Sequence, residues 1–93
     1  MNIIEAMALI SAPRAHRLDT PRCVQRPARR DLFYWFDPTP CVGGQPWGFR
    51  FNFMDRPTGE AMNAFFTKED FAADDWEECF PLEGKTRILG GRA

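Results

Sequence analysis

The chain has 93 residues, a formal net charge of −1 and 14% aromatic residues. This length is typical of a single domain, and a chain of this size buries only about 60–65% of its unfolded surface, so oligomerisation would help to stabilise it. The near-neutral charge argues against a protein that binds nucleic acid directly, because that class is usually basic.

The N-terminal segment predicts an amphipathic helix that is too short for a signal peptide or a membrane span. Asn2 and Glu5 have the spacing of a capping box, and Pro13 is expected to end the helix at about Ala12. The apolar stripe that would pack on a sheet consists of Ile3, Met7 and Ile10, with Ile4, Ala8 and Ser11 beside them.

The next third of the chain predicts two strands separated by an irregular segment. Alternation predicts a short strand over Arg14–Asp19, and two prolines among arginines make Thr20–Arg30 a loop or an irregular sheet edge. The apolar run in Asp31–Asp37 predicts a strand that is buried on both faces or holds one face for a partner subunit. Prolines and glycines then predict a loop over Pro38–Pro46.

The clearest strand signal lies in Trp47–Met54. Large aromatic residues alternate there with a second set that contains Arg50 and Asn52. The aromatic row, which is expected to face the core, comprises Trp47, Phe49, Phe51 and Phe53. After a turn, Glu60–Phe66 is expected to return as an antiparallel strand. Helix is the alternative for that segment, but a capping signal at Thr67 places the helix start later.

The segment Phe66–Phe80 predicts a short helix followed by a strand. Thr67 and Asp70 form a second capping box, and Phe66 and Phe71 occupy the two positions of a hydrophobic staple. The helix is expected to have about two turns, and Trp76–Phe80 is then expected to be extended.

These elements predict an α+β fold in one compact domain over residues 1–80. An N-terminal helix would pack on an antiparallel sheet of about four to five strands, with a short second helix before the last core strand. Residues 81–93 are glycine-rich and predict a C-terminal tail that could pack on a partner subunit.

The sequence contains no catalytic constellation, and we do not expect an enzyme. His16 is the single histidine and has no evident nucleophile beside it. The acidic residues lack the spacing of a calcium loop, so no metal or cofactor is expected. Three cysteines without a CxxC spacing are typical of reduced thiols in a cytosolic protein.

Composition favours a binding function. Ten arginines stand against two lysines, and arginine forms forked bonds to phosphate that lysine cannot form. A GC-rich genome would produce the same bias. Aromatic rings and guanidinium planes stack on nucleobases, at on the order of 1–3 kcal/mol per base. The residues expected to contact such a ligand are Arg17, Trp35, Arg50, Asn52 and Trp76.

The C-terminal part of the chain resembles small phage proteins of the Thoeris anti-defence sponge family. The motif is a short helix that runs directly into a final strand, and its residues here are Asp70, Phe71, Ala72, Ala73, Asp74, Asp75, Trp76 and Glu77. The N-terminus agrees in having a short helix with Glu5-Ala6 before a basic segment. The family usually has a tryptophan after the basic residues of its second strand and often another just before the capping serine or threonine. This chain has no tryptophan after Arg17, and Phe65 and Phe66 precede its capping threonine.

The resemblance implies a phage-encoded protein of the host bacterial cytoplasm that captures an immune signal without hydrolysing it. The partner would be a small nucleotide signal of the cyclic ADP-ribose or cyclic oligonucleotide type. The pocket would lie between the subunits of a homo-oligomer, a dimer or a tetramer.

An alternative comes from the acidic second half of the chain. A surface of carboxylates can imitate nucleic-acid phosphates and occupy a basic channel, as in an anti-CRISPR or a similar inhibitor of a host defence protein. The residues that would contact that partner are Asp74, Asp75, Glu77 and Glu78.

Overall fold

The computed structural model describes residues 1–12, 21–41, 43–57 and 59–81. In these ranges the chain forms an N-terminal helix, a five-stranded antiparallel sheet and a second short helix, which confirms the predicted α+β class. The elements are α1 (Ile3–Ser11), β1 (Cys23–Gln25), β2 (Leu32–Pro40), β3 (Pro46–Phe53), β4 (Met62–Asn63), α2 (Lys68–Ala72) and β5 (Glu77–Cys79), with a 3₁₀ turn at Pro27–Arg29.

The strand order in the described sheet is β4-β3-β2-β1-β5. The longest pairing joins β2 to β3, from Leu32 opposite Phe53 to Asp37 opposite Gly48. β1 lies inside the sheet, between β2 and β5, so the expectation of a loop or an edge there was wrong. Pro21 and Pro27 flank β1 and leave its three residues with N–H groups that can pair.

β2 is buried on both faces, as its apolar run predicts. Its first four residues are all buried, from Leu32 to Trp35. The strand continues to Pro40, however, where the sequence predicted a loop. The register shifts between Asp37 and Pro40, and irregular pairing of this kind accommodates residues that cannot donate an N–H bond.

The two faces of the sheet carry separate apolar clusters. Because side chains alternate along a strand, neighbouring residues of β2 contribute to opposite clusters. The cluster beneath α1 contains Ile3, Ala6, Ile10, Val24, Leu32, Tyr34, Phe51 and Trp76. The cluster on the other face contains Cys23, Phe33, Trp35, Ala61 and Cys79.

Helix α1 begins at the predicted capping box. The Asn2 side chain accepts a hydrogen bond from the Glu5 N–H at 2.8 Å, and the Glu5 carboxylate accepts one from the Asn2 N–H at 2.9 Å. The buried face differs in part from the predicted stripe, because Ala6 is buried while Ile4 and Ala8 are exposed. A small residue at the centre of the contact lets the helix approach the sheet closely.

The chain between β3 and α2 is less regular than predicted. It runs antiparallel to β3, but only Met62–Asn63 forms a strand. α2 begins at the predicted capping box of Thr67 and Asp70, and the rings of Phe66 and Phe71 contact each other with centroids 6.0 Å apart. The predicted staple is therefore present.

The last strand is shorter than the predicted Trp76–Phe80. The Trp76 N–H donates to the carbonyl of Met1 at 3.0 Å, so this residue pairs with the N-terminus and not with β1. The Met1 ammonium group also donates to the carbonyls of Asp74 and Trp76, at 2.9 and 3.1 Å. The N-terminus thereby connects α1 to the start of β5.

Two predicted features lie outside the described residues. These are the strand over Arg14–Asp19, which includes Arg17, and the tail after Pro81. The prediction of one domain over residues 1–80 stays a prediction.

Candidate functional site

Arg50 and Trp47 form the feature of this sheet that best suits a ligand. The guanidinium carbon of Arg50 lies 4.6 Å from the centroid of the Trp47 ring, and 42% of Trp47 is exposed. One terminal nitrogen of Arg50 donates to the Ala61 carbonyl, whereas the Arg50 Nε is buried without a hydrogen-bond partner. The site therefore combines a half-buried cation, an unused donor and an open aromatic ring.

This arrangement depends on Gly48, which adopts a φ of +83° within β3. Such a conformation interrupts the regular alternation of a strand and is readily adopted only by glycine. The Trp47 ring consequently contacts Arg50, which belongs to the opposite face from Phe49. The prediction that Trp47 continues the aromatic core row was wrong.

Trp35 and Asn52, both predicted to contact a ligand, form a buried hydrogen-bond network. The indole N–H of Trp35 donates to the side-chain oxygen of Asn52 at 2.8 Å, and Trp35 is fully buried. The amide nitrogen of Asn52 donates to the carbonyls of Gly59 at 2.8 Å and Pro57 at 3.3 Å. These bonds anchor the loop after β3 to the sheet.

Trp76 also lies in the core. It is 2% exposed, and its indole N–H donates to the Asp70 carbonyl at 3.2 Å. Its ring makes edge contacts with the rings of Tyr34 and Phe66, with centroid distances of 5.5 and 6.2 Å. Of the predicted ligand residues, the structure thus places Arg50 at an accessible site, and Arg17 lies outside the described ranges.

Three of the four acidic residues of the alternative partner surface form ion pairs with arginines of the first half of the chain. Arg22 forms a two-pronged ion pair with Glu78, with N–O distances of 2.8 and 2.9 Å. Two further ion pairs join Arg26 to Asp75 and Arg30 to Glu77, each with an N–O distance of 3.3 Å. Asp74 is exposed, and its carboxylate has no ion pair among the described residues, although its carbonyl accepts from the Met1 ammonium group.

Asp70 is the most deeply placed carboxylate of this cluster. Burial alone would raise the pKa of Asp70, but bonds from the Thr67 N–H at 2.8 Å and the Arg26 guanidinium at 2.9 Å outweigh burial and lower it. The hydrogen bond from Arg22, which outweighs desolvation, likewise lowers the pKa of Glu78. The contacts of the folded chain therefore favour the ionised form of both Asp70 and Glu78.

An apolar groove of about 490 Å³ lies between α1, β3 and α2. Ile4 and Phe71 stand exposed on it, at 77% and 64% of their surface. The residues that line the groove are Ile3, Ile4, Met7, Phe49, Phe66 and Phe71. An exposed apolar surface of this kind is typical of a contact with another protein.

Sequence reasoning missed both Trp47 and this groove. The glycine at position 48, next to a tryptophan in an otherwise regular strand, is the signal that could have indicated the first. The groove had no such signal, because it arises only when α1 and α2 meet over β3.

Comparisons with protein-family models, with curated proteins and with solved structures found no match to this chain. Neither helix in the described ranges is long and apolar enough to cross a membrane. The same ranges contain no cluster of three or more histidine, cysteine or acidic residues that could hold a metal ion.

Proposed function

We propose that this protein is a non-enzymatic binding protein of a bacteriophage that sequesters a nucleotide-derived immune signal in the host cytoplasm. The signal would be of the cyclic ADP-ribose or cyclic oligonucleotide type. The resemblance to the anti-defence sponge family suggests the role, and Arg50 with Trp47 is the part of the described chain best suited to the ligand.

The proposal rests on one observation, which is that the Arg50 guanidinium lacks a carboxylate partner among the described residues. The other described arginines each lie within 4 Å of a carboxylate, namely Arg22, Arg26, Arg29, Arg30 and Arg56. Arg50 has no such partner among the described residues, and its Nε is an unused buried donor. Once a local movement uncovers the Nε, a phosphate would supply the missing acceptor, while the exposed indole of Trp47 would stack on a base.

The apolar groove supports the homo-oligomer of the proposal. Its floor is half-buried, and its exposed residues Ile4 and Phe71 project from the same surface. A two-fold interface needs projecting and receding parts within one patch, because the patch contacts a copy of itself. Burial of this apolar surface would also supplement the limited core of a chain of this size.

Calorimetric titration with a panel of cyclic oligonucleotides and cyclic ADP-ribose isomers tests the ligand. We expect one member to bind, and Arg50→Lys to weaken its binding about 10- to 100-fold, because lysine keeps the charge but loses the forked donors and the planar stacking surface. The panel is also incubated with the protein and analysed for hydrolysis, which should be absent.

Arg56→Lys is the matched control. The Arg56 guanidinium also lies over a ring, 5.3 Å from the centroid of Phe53, but it is exposed and paired with Asp55. This variant should bind like the unaltered protein. Absence of binding across the panel at micromolar protein, or equal losses in both variants, would contradict the proposal.

The alternative of an acidic inhibitor has less support from the geometry. Arg22, Arg26 and Arg30 partly neutralise the surface that would have to imitate phosphates. A protein that binds no member of the panel but co-purifies with a defence nuclease, in a manner that weakens steeply with salt, would favour that alternative.

A further inference from the structure

Cys23 and Cys79 lie directly opposite each other on adjacent strands. The register of β1 and β5 pairs Cys23 with Cys79 and Val24 with Glu78. Residues directly opposite in an antiparallel pair have Cα atoms about 4.5–5.5 Å apart, within the roughly 4.4–6.8 Å that a disulfide spans. Both side chains belong to the same apolar cluster, so they point to the same face of the sheet.

We propose that Cys23 and Cys79 form a cross-strand dithiol that a low-molecular-weight disulfide, such as oxidised glutathione, converts into an intramolecular disulfide between β1 and β5. The proposal rests on strand register and on a shared side-chain cluster, and it does not depend on the proposed ligand. The third cysteine, Cys41, lies beyond the end of β2 and is not part of the pair.

The reaction balances as two exchange steps. The thiolate of one cysteine attacks the reagent disulfide, which forms a mixed disulfide and releases one reagent thiol. The second cysteine thiolate then attacks the protein sulfur of that mixed disulfide and releases the other reagent thiol. The protein loses two electrons and two protons, and the reagent disulfide is reduced to two thiols.

Burial controls the rate of the first step. Cys23 and Cys79 are 0% and 8% exposed, and burial raises the pKa of Cys79 to about 12 and that of Cys23 further. The closed protein therefore offers almost no thiolate near neutral pH. β5 has only three residues and lies at the edge of the described sheet, so oxidation should follow its separation from β1.

An ion pair joins Arg22, the residue immediately before β1, to Glu78 of β5, and each of these residues directly precedes a cysteine. It therefore restrains the opening that exposes the thiols. Loss of this pair should raise the oxidation rate without changing the product.

The test uses the full chain with Cys41→Ser, so that only the pair can react. The reduced protein is incubated with oxidised glutathione in two separate experiments. In the first the protein is native, and in the second it refolds from urea, so that the thiols are exposed to the reagent before they become buried. We expect a product that has lost two hydrogens, a peptide map that joins the Cys23 and Cys79 peptides, and a native circular dichroism spectrum. The melting temperature should rise on the order of 10 °C, because the bond closes a long loop.

Two sets of variants make the outcome decisive. Cys23→Ala or Cys79→Ala in the same background should give only mixed disulfides and no rise in melting temperature. Glu78→Gln should accelerate oxidation of the native protein about 2- to 5-fold, which corresponds to the free energy of an exposed ion pair. Glu60→Gln, at an exposed site elsewhere, should leave the oxidation rate unchanged. Stable glutathione adducts in the refolding experiment, or a closed disulfide that destabilises the fold, would overturn the proposal.

Discussion

Arg50 and Asn52 are two residues apart on the same strand, yet the structure gives them different roles. Both belong to the face opposite the Phe49 and Phe51 rings. The hydrogen-bonding atoms of Asn52 are satisfied by Trp35 and by the loop after β3, whereas the Nε of Arg50 has no partner. A buried amide with full hydrogen bonding stabilises the fold, whereas a guanidinium with an unused donor keeps the capacity to bond an anion that reaches it.

Asn52→Ala should therefore destabilise the protein without a direct effect on the ligand site. The substitution leaves the buried indole N–H of Trp35 and two loop carbonyls without partners, at a cost of about 2–4 kcal/mol in the free energy of unfolding. Urea denaturation measures this cost. Asn63→Ala, which removes an exposed amide, should change stability by less than about 0.5 kcal/mol. Equal effects of the two substitutions would contradict a structural role for the network.

Asp70 should make stability depend on pH in the acidic range. Its pKa is lowered in the folded chain from the ordinary value of 3.8, so the folded state binds its proton less readily than the unfolded state. Its contribution is fully present above the ordinary value and is lost as pH falls through the lowered folded pKa.

Asp70→Asn should remove this part of the pH dependence. Urea midpoints are measured between neutral pH and about pH 2, and the midpoint of the variant should fall less steeply with decreasing pH than that of the unaltered protein. Glu69→Gln, one residue earlier and exposed, is the control and should leave this pH dependence almost unchanged. An equally steep fall of the midpoint with and without Asp70 would contradict the assignment.

At the scale of elements, β3 performs two tasks in its two halves. Both halves pair with β2, and the second half supplies Phe51 to the core beneath α1. Its first half carries the irregularity at Gly48 that turns Trp47 towards Arg50. The strand thus continues from the core into the candidate site, so the same strand that is anchored in the core positions Trp47 and Arg50.

Gly48→Ala should cost about 1–2 kcal/mol of stability and should also impair the candidate site. An added Cβ would meet no atom within 4 Å, so the cost comes from the φ of +83° and not from a clash. Gly48→Asn should lose less, because asparagine adopts positive φ more readily than alanine. Thermal unfolding and the tryptophan emission spectrum measure the two effects. A stable Gly48→Ala variant with unchanged emission would contradict this role of the glycine.

At the scale of the whole molecule, the ion pairs across the sheet and the apolar groove lie in different parts of the described chain. Ion pairs between arginines and the acidic C-terminal segment lie around β1 and β5, while the apolar groove lies over β3 between the two helices. Five of the six arginines in the described ranges are therefore engaged in ion pairs within the fold. This arrangement leaves the groove as the surface that best suits a second copy of the chain.

Ile4→Ser should shift the oligomeric state towards the monomer. Ile4 is 77% exposed at the groove, so its replacement removes interface area at little cost to folding. Phe80→Ser is the matched control, because Phe80 is also 77% exposed but does not line the groove. Light scattering or sedimentation measures the mass. A strictly monomeric unaltered protein, or dissociation only in the control, would contradict self-association through the groove.

The features that the sequence alone determined are those set by short-range interactions. Both capping boxes, the staple of Phe66 with Phe71 and the alternation of Phe49 to Phe53 depend on residues a few positions apart, and each is present in the fold. The α+β class followed from these local patterns. The extension of β2 to Pro40 did not follow from local patterns, because it depends on the strands that pair with β2 in the folded chain.

Only the tertiary structure decided which polar and aromatic residues remain available. Trp35 and Asn52 matched a ligand site by residue type, but their partners come from another strand and from a loop, and together they are buried. The opposition of Cys23 and Cys79 likewise arises from the register of strands that are distant in the chain. Residue type determines what a side chain can bind, whereas packing determines whether its binding atoms are already satisfied within the fold.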